Sequence, residues 1–189
     1  FPSLAHDFLG DVLDHLQLSR QFRAFVSNLY LGNGCRIAAA GDNHEGFSIR
    51  AGIRQGCPLS PLLFALCGDL LLRRLQQLLP GDLCRAYADD IGLVAKDLFA
   101  SAQLFVPALE EFAVISGLSL NLGMTVFIPL GDDTLEDFRR ELESRFAVWG
   151  AAGVRWWADY LGLLLYTSDA ADDPLCGDPG GCRIAKKTN

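Results

Sequence analysis

The sequence lacks several features that would assign it to a class at once. No uninterrupted run of about 18 apolar residues occurs, so we expect no membrane span. No CxxC pair occurs and no His stands at finger-like spacing from a cysteine, which argues against a zinc site. The formal net charge is −7, so the basic footprint of most nucleic-acid binders is missing as well.

Methionine and lysine are scarce. The chain opens on Phe1 rather than on Met, and its one methionine is Met124, which leads us to expect a fragment of a longer protein. Nothing resembling a signal peptide precedes the first helix pattern. Only 3 Lys stand beside 13 Arg, a bias that a GC-rich genome would also give.

What the chain does contain is apolar material. Half of its 189 residues are hydrophobic and 12 are Phe, which is enough for a real core in one domain. Four cysteines, in apolar runs, are expected to be buried and reduced: Cys35, Cys57, Cys67 and Cys84.

The last 26 residues differ from the rest. From residue 164 onward no amphipathic period remains, and the segment resembles the conceptual translation of a transposase-type sequencing adapter. We therefore expect a domain over residues 1–163 and a non-native or disordered tail over residues 164–189. The alternative is a genuine acidic, flexible C-terminus. Residues 1–163 keep 19 acidic and 13 basic residues, a net −6, so the tail does not cause the acidity.

Hydrophobic periodicity predicts helices and strands that alternate along the chain. Ser60 is expected to cap a helix whose first residue is Pro61. The predicted helices span 4–30, 61–79, 100–116 and 132–147. The predicted strands span 35–40, 47–53, 83–88, 91–95, 124–130 and 161–166. This order indicates a sheet with helices packed mainly on one face.

Asp89 and Asp90 form the strongest chemical signal. An apolar strand leads to two adjacent carboxylates at a tight turn, and a second apolar strand follows. Adjacent carboxylates repel each other, and a divalent cation such as Mg²⁺ relieves that repulsion. Such a pair suits two-metal phosphoryl transfer. The alternative is an ordinary solvated hairpin turn, in which Asp is common.

A second signal lies about 30 residues earlier, in residues 54–61 (RQGCPLSP). Arg54 can pair with phosphate, Gln55 offers an amide donor and acceptor, and Gly56 lets a backbone approach a ligand closely. The helix start near Ser60 adds partial positive charge. Together these groups suggest a nucleotide cradle, and the alternative is a strand-to-helix turn rich in Gly and Pro.

In combination these motifs resemble the reverse transcriptase palm of non-long-terminal-repeat retrotransposons. The matching segments, in the family's order, are residues 52–61 (GIRQGCPLSP), 86–90 (AYADD), 116–125 (SGLSLNLGMT) and 160–162 (YLG). The resemblance covers roughly residues 1–163. It implies an α+β fold, namely a polymerase palm with an antiparallel sheet and helices on one face, incomplete because fingers and thumb are missing.

The resemblance also implies roles for individual residues. Asp89 and Asp90 would be the catalytic, metal-binding carboxylates, with Mg²⁺ as the ion and Mn²⁺ as an alternative. Residues implied to line the incoming nucleotide are Phe1, Arg54, Gln55 and Gly56. Residues implied to hold the primer are Tyr87, Tyr160, Leu161 and Gly162. The implied partners are an RNA template, a DNA primer, deoxynucleoside triphosphates and the rest of a retroelement polyprotein, in a nuclear or cytoplasmic ribonucleoprotein.

Two departures from the family pattern limit this expectation. The family's first metal-binding aspartate precedes the position of Phe1, so we expect the chain alone to be inactive. Met124 stands where the family usually carries Lys. One alternative is therefore a catalytically dead retroelement remnant. Another is a nucleotidyl-cyclase palm, which shares the carboxylates but not residues 54–61.

Overall fold

The computed structural model describes residues 3–131 and 133–166 of the chain, with the backbone alone for residues 164 and 166. The chain divides into two compact units. The first runs from the described N-terminus to Lys96 and adds Ala100–Ser119, and the second holds Asp97–Phe99 and the described residues from Leu120 onward. Phe1 and residues 167–189 lie outside the described residues, so the expected boundary after residue 163 stays a prediction.

The first unit begins with two helices where the sequence predicted one over residues 4–30. Helix α1 spans His6–His15 and helix α2 spans Arg20–Tyr30. The chain turns at Gln17, whose φ of 52° is left-handed, and Ser19 starts α2 by accepting a hydrogen bond from the backbone N–H of Phe22. Apolar periodicity continues through this break, which is why the two helices look like one in the sequence.

The two long helices of the core follow the predictions. Helix α3 spans Ser60–Leu78 and helix α4 spans Leu98–Ser116. The buried stripe of α3, with its four-residue spacing, consists of Leu63, Cys67, Leu71 and Leu75. On α4, Phe112 meets Phe8 of α1 edge-on, with ring centroids 5.6 Å apart. Burying a Leu or Phe side chain contributes roughly 1.5–3 kcal/mol, so these stripes hold the unit together.

Helix α4 bears on the expectation that the chain spans no membrane. Within the described residues it is the one helix long and apolar enough to cross a bilayer by length and composition. That is weak support for a span, because core helices of soluble proteins pass the same test.

Two antiparallel hairpins complete the first unit. Strands β1 (Gly34–Ala39) and β2 (Asp42–Ser48) form one, and strands β3 (Leu83–Tyr87) and β4 (Asp90–Val94) form the other. The predicted strand over residues 47–53 is misplaced, because β2 begins at Asp42 and ends at Ser48, so it takes in most of the stretch between the two predicted strands. Gly46 faces the Cys35 carbonyl so closely that a Cβ would overlap it, which explains a glycine inside a strand.

The second unit is smaller and rests on an aromatic core. Its elements are a 3-10 turn (Leu122–Met124), strand β5 (Val126–Phe127), helix α5 (Leu135–Arg145), a second 3-10 turn (Ala147–Ala151), and strands β6 (Gly153–Val154), β7 (Trp157–Tyr160) and β8 (Leu163–Tyr166). The Thr134 hydroxyl caps α5 by accepting from the Asp137 N–H. Phe127 packs against Phe138 and Trp149, with centroids 6.3 Å and 5.6 Å apart.

The α+β class is confirmed. In the described part of the chain the strands form four two-stranded pairs, of which β5–β6 is parallel and the others are antiparallel. The sequence predicted one sheet, whereas the antiparallel strands each pair with their neighbour in the chain across a two-residue turn. Of the predicted strand over residues 124–130 only β5, Val126–Phe127, is a strand, and its first residue, Met124, belongs to the 3-10 turn.

Candidate functional site

The β3–β4 hairpin sorts its side chains onto two faces. Tyr87 pairs with Asp90 across the strands and Cys84 pairs with Leu93. Alternation along a strand places Tyr87 and Asp90 on one face and Cys84 on the other. Cys84 is 4% exposed and Tyr87 is 68% exposed. Tyr87 and Asp90 therefore lie on an open face, while Cys84 on the opposite face is buried.

The turn of this hairpin consists of Ala88 and Asp89, one residue earlier than the predicted Asp89-Asp90 turn. Ala88 has a φ of 51°, a left-handed conformation that costs a non-glycine residue roughly 1–2 kcal/mol. As a result Asp89 lies at the tip, and Asp90 is the first residue of β4, opposite Tyr87. The two carboxylates occupy different positions of the hairpin, although they are neighbours in sequence.

Both carboxylates are exposed, and no described residue forms an ion pair or a side-chain hydrogen bond with them. Carboxylate oxygens are the hard ligands that Mg²⁺ and similar ions prefer. Among the described residues no group of three or more His, Cys, Asp and Glu side chains could hold a metal ion. The tip thus offers at most two carboxylate ligands, and a cation bound there would need further ligands.

The base of the hairpin is anchored while its tip is open. The Asp82 carboxylate, just before β3, accepts hydrogen bonds from the Ser101 hydroxyl (2.5 Å) and from the Lys96 backbone N–H (3.4 Å). Ser101 belongs to α4 and Lys96 follows β4. One carboxylate thus joins the entry and the exit of the hairpin to a core helix.

The backbone before Arg54 is tied to the start of the chain. The Gly52 N–H donates to the Leu4 carbonyl (2.7 Å), and Nε2 of His6 donates to the Gly52 carbonyl (2.8 Å). Leu4 and Ile53 are buried. These contacts fix the position of the backbone just before Arg54.

Hydrogen bonds hold Arg54 both at its backbone and at its guanidinium. Its backbone carbonyl accepts a hydrogen bond from the Ser60 hydroxyl (2.6 Å), and its guanidinium donates to Oδ1 of Asn33. The prediction that Ser60 caps α3 is thereby wrong. Leu59 is the N-cap, with no side-chain cap bond, and Ser60 is already in the helix. The buried hydroxyl of Ser60 is used to fix the loop instead.

Gln55 and Gly56 follow Arg54 on the surface. Gly56 has a φ of 82°, which favours glycine, and a Cβ placed there would meet no heavy atom within 4 Å. The space beside Gly56 is thus open. Gln55 is exposed as well.

Cys57 is the chemically unusual thiol of this loop. The backbone N–H of Leu59 is the largest cause that lowers its pKa, with smaller contributions from Ser60 and from the charge of Arg54, while partial desolvation acts in the opposite sense. Burial raises the pKa of Cys67 to about 12 and also raises the pKa of Cys84. Cys67 and Cys84 are buried as expected, whereas Cys35 and Cys57 are only half-buried.

Residues 160–162 lie in the second unit at the end of a hairpin, and the predicted strand over residues 161–166 begins two residues later than expected, at Leu163. Tyr160 ends β7 and pairs with Leu163, the first residue of β8. Leu161 (φ 53°) and Gly162 (φ 74°) form the turn between them. Two successive positive φ values match the turn that joins antiparallel strands most readily.

The structure brings some predicted site residues together and leaves others apart. It unites Tyr87, Asp89 and Asp90 on one hairpin, and it places Arg54, Gln55 and Gly56 on one loop. In the described part of the chain no hydrogen bond or ion pair joins that hairpin to that loop. Phe1, the predicted neighbour of the nucleotide sugar, lies outside the described residues.

Sequence reasoning missed Asn33 and gave Ser60 a different role, that of a helix cap. Asn33 lies between Gly32 and Gly34, just after helix α2. A polar side chain between two glycines after a helix is a signal that could have pointed to a C-terminal helix contact. Its bond to Arg54, 21 residues away, has no sequence signal.

Comparison with known proteins is consistent with the geometry. The family model described as "Reverse transcriptase (RNA-dependent DNA polymerase)" matches residues 1–162. The chain is 34% identical over 127 residues to the "Retrovirus-related Pol polyprotein from type-2 retrotransposable element R2DM" of Drosophila melanogaster, which covers 64% of this chain and 12% of that protein.

Two further relatives show the same partial overlap. The "Transposon TX1 uncharacterized 149 kDa protein" of Xenopus laevis is 30% identical over 130 residues, which is 64% of this chain and 10% of that protein. The "Retrovirus-related Pol polyprotein from type-1 retrotransposable element R2" of Nasonia vitripennis is 31% identical over 120 residues, 59% of this chain and 12% of that protein. The chain thus spans about a tenth of the length of these curated relatives.

Proposed function

This chain belongs to the reverse transcriptase family of non-long-terminal-repeat retrotransposons, and from that premise we propose that it forms the catalytic palm of an RNA-directed DNA polymerase. The observation that carries the proposal is the β3–β4 hairpin. It presents Asp89 and Asp90 at an exposed tip, with Tyr87 on the same open face as Asp90. The hydrogen bond between Asp82 and Ser101 holds the base of the hairpin against α4, which fixes the position from which the two strands extend to the tip.

The family is one of polymerases that depend on a divalent metal. In our proposal Asp89 and Asp90 hold Mg²⁺, with Mn²⁺ as an alternative, and the bound ion supplies Lewis-acid charge to the reacting phosphate. Two unpaired carboxylates at an exposed turn repel each other, and a cation would relieve that repulsion. A further oxygen ligand would have to come from outside the described residues.

The other residues bind and orient the reactants. Arg54 donates guanidinium N–H groups to the triphosphate, and Gln55 and Gly56 line the nucleotide beside it. Tyr87, on the open face, supports the primer end, and the turn at residues 160–162 contacts the primer strand. The partners in this proposal are an RNA template, a DNA primer, deoxynucleoside triphosphates and the rest of a retroelement polyprotein, in a nuclear or cytoplasmic ribonucleoprotein.

Primer extension on an RNA template tests the proposal, using the protein extended through its encoded flanking sequence. The unchanged protein should extend the primer with Mg²⁺, and a chelator should stop it. Asp89→Asn should lower the rate by about 10³-fold, because ligand loss removes several kcal/mol of charge stabilisation. Extension that survives this substitution would remove Asp89 from the catalytic set.

The β1–β2 hairpin supplies a matched control. Asp42 is the first residue of β2 after a two-residue turn, the position that Asp90 holds in β4. Asp90→Asn should abolish extension, whereas Asp42→Asn should leave the rate within about twofold. Equal losses in both variants would indicate a general effect of hairpin charge rather than catalysis.

One observation favours the second candidate, a catalytically dead remnant. Met124, where the resemblance implies Lys, is 80% exposed at the end of a 3-10 turn. Its apolar side chain packs little there, and it can carry neither charge nor a proton. If the extended protein is inactive and Met124→Lys restores extension, this copy has lost activity at that position. Activity of the unchanged protein would rule the remnant out.

A further inference from the structure

Asn33 connects three separate segments of the first unit through hydrogen bonds. Its Nδ2 donates to the Leu29 carbonyl (2.8 Å), within the last turn of α2, and its backbone carbonyl accepts from the Ile49 N–H (2.8 Å), just after β2. Its Oδ1 accepts from the Arg54 guanidinium. Asn33 is half-buried between two glycines, so its position is set by these bonds rather than by bulky neighbours.

The two bonds of the Asn33 side chain have different effects. The bond to Leu29 satisfies one of the carbonyls that every helix leaves unpaired at its C-terminus, which stabilises α2. The bond to Arg54 contributes little to stability, because Arg54 is exposed and water competes for its guanidinium. Its main effect is to restrict where the guanidinium lies.

Arg54 is thereby restrained before any ligand arrives. Ser60 fixes its backbone carbonyl and Asn33 fixes one Nη group, while the guanidinium has further N–H donors to offer. A long side chain that is already ordered loses less rotamer freedom on binding an anion.

We propose that Asn33 is a positioning residue that pre-orders Arg54 for the triphosphate of the incoming nucleotide. This inference rests on the proposed function, because it assumes that Arg54 binds phosphate. Asn33 itself touches neither substrate nor metal in this scheme. It acts on nucleotide affinity alone, so its loss changes KM rather than kcat.

The test is a double-mutant cycle in the primer-extension assay with the extended protein. Asn33→Ala should raise the KM for deoxynucleotide about 3–10-fold with kcat within about twofold. Arg54→Met should raise KM at least as much. In the double variant, Asn33→Ala should add less than about twofold to the effect of Arg54→Met, because no guanidinium remains to be positioned.

Two further variants separate positioning from stability. Asn33→Asp keeps an oxygen acceptor for Arg54 but loses the donor to Leu29, so its melting temperature should fall as in Asn33→Ala while its KM stays within about threefold of the unchanged protein. Asn43→Ala, at an exposed position of β2, is the matched Asn control and should alter neither quantity. Because both Asn33 variants lose the donor to Leu29, all variants are assayed at a temperature below the melting temperature of Asn33→Ala.

The outcomes distinguish this inference from the proposed function. No extension by the unchanged protein overturns the proposed function and the inference with it. Extension with independent, multiplicative KM effects of Asn33→Ala and Arg54→Met overturns the inference alone. A KM in Asn33→Asp as high as in Asn33→Ala also overturns it, because the bond to Leu29 would then be the one that matters.

Discussion

Cys57 is the residue whose behaviour the structure predicts most directly. Hydrogen bonds from the backbone at the start of α3 and the charge of Arg54 lower its pKa below the ordinary thiol value. The thiolate is the nucleophile in alkylation, so Cys57 should react at a lower pH than an ordinary thiol. The thiolate's contribution to stability is present above the ordinary pKa and is lost as the pH falls through the lowered value.

Peptide mapping after brief iodoacetamide treatment over a pH series measures this property. The alkylation midpoint for Cys57 should lie below the ordinary thiol value, and Arg54→Met should move it upward. Cys67 serves as the internal control, because burial raises its pKa to about 12 and shields it while the fold persists. A Cys57 midpoint at or above the ordinary value would contradict the hydrogen-bonding pattern of the loop.

At this scale the sequence identified the chemical groups but not their surroundings. Asp89 and Asp90 were predicted to form the turn between two apolar strands. Asp89 lies in that turn, whereas Asp90 is the first residue of β4. The turn itself falls at Ala88, a residue that no rule favours for a left-handed φ. The register of a hairpin follows from how both strands pack, and a few local residues do not reveal it.

Among the elements, the end of α4 makes a sharp stability prediction at Gly117. Its φ is 72°, and a Cβ would overlap the Ser3 carbonyl oxygen, a backbone atom that cannot move away easily. The neighbouring Ser116 carbonyl accepts from the Ala5 N–H (2.8 Å), so this helix end is joined to the N-terminal segment. Gly117→Ala should lower the free energy of unfolding by about 2 kcal/mol or more.

Gly10 is the matched control for this substitution. It lies inside α1, and a Cβ there meets no heavy atom within 4 Å. Gly10→Ala should therefore raise the free energy of unfolding by roughly 0.5–1 kcal/mol, since alanine favours the helix. Chemical denaturation of both variants measures the difference. Destabilisation of similar size in both would mean that the contact between Gly117 and Ser3 does not hold in solution.

The elements that sequence rules placed well are those with many buried repeats. Helices α3 and α4 show an apolar stripe over five turns, and their predicted bounds differ from the observed ones by one or two residues. The failures are short elements. The break at Gln17 contains neither Gly nor Pro, and β2 consists largely of turn-favouring residues that pair because β1 lies beside them. The conformation of such segments depends on their contacts with other parts of the fold, and a single sequence does not show those contacts.

At the scale of the whole molecule, the charge raises a question about nucleic acid. The net charge is −7, yet the family acts on nucleic acid, whose phosphates favour basic partners. At the described site the positive charge comes from Arg54 and the negative charge from residues 89 and 90. A divalent metal ion bound at residues 89 and 90 would neutralise their charge. In our proposal the net charge of the site therefore depends on whether a metal ion is bound. The affinity of the protein for the template should depend on metal binding as well.

Exposed apolar side chains give the last prediction. Val114 is 85% exposed, and other large apolar residues that are mostly exposed include Met124, Leu31, Leu130, Val148 and Phe47. Apolar surface of this extent favours association, so the purified protein and its residues 1–163 should self-associate at tens of micromolar in sedimentation velocity. The double variant F47K/V114K should shift the distribution toward monomer without changing the far-UV spectrum, since neither side chain is buried. Arg139→Lys, an exposed substitution that keeps its charge, is the control and should sediment like the unchanged protein.

A monodisperse, cooperatively melting preparation of residues 1–163 would instead show that these side chains are compatible with a self-contained fold.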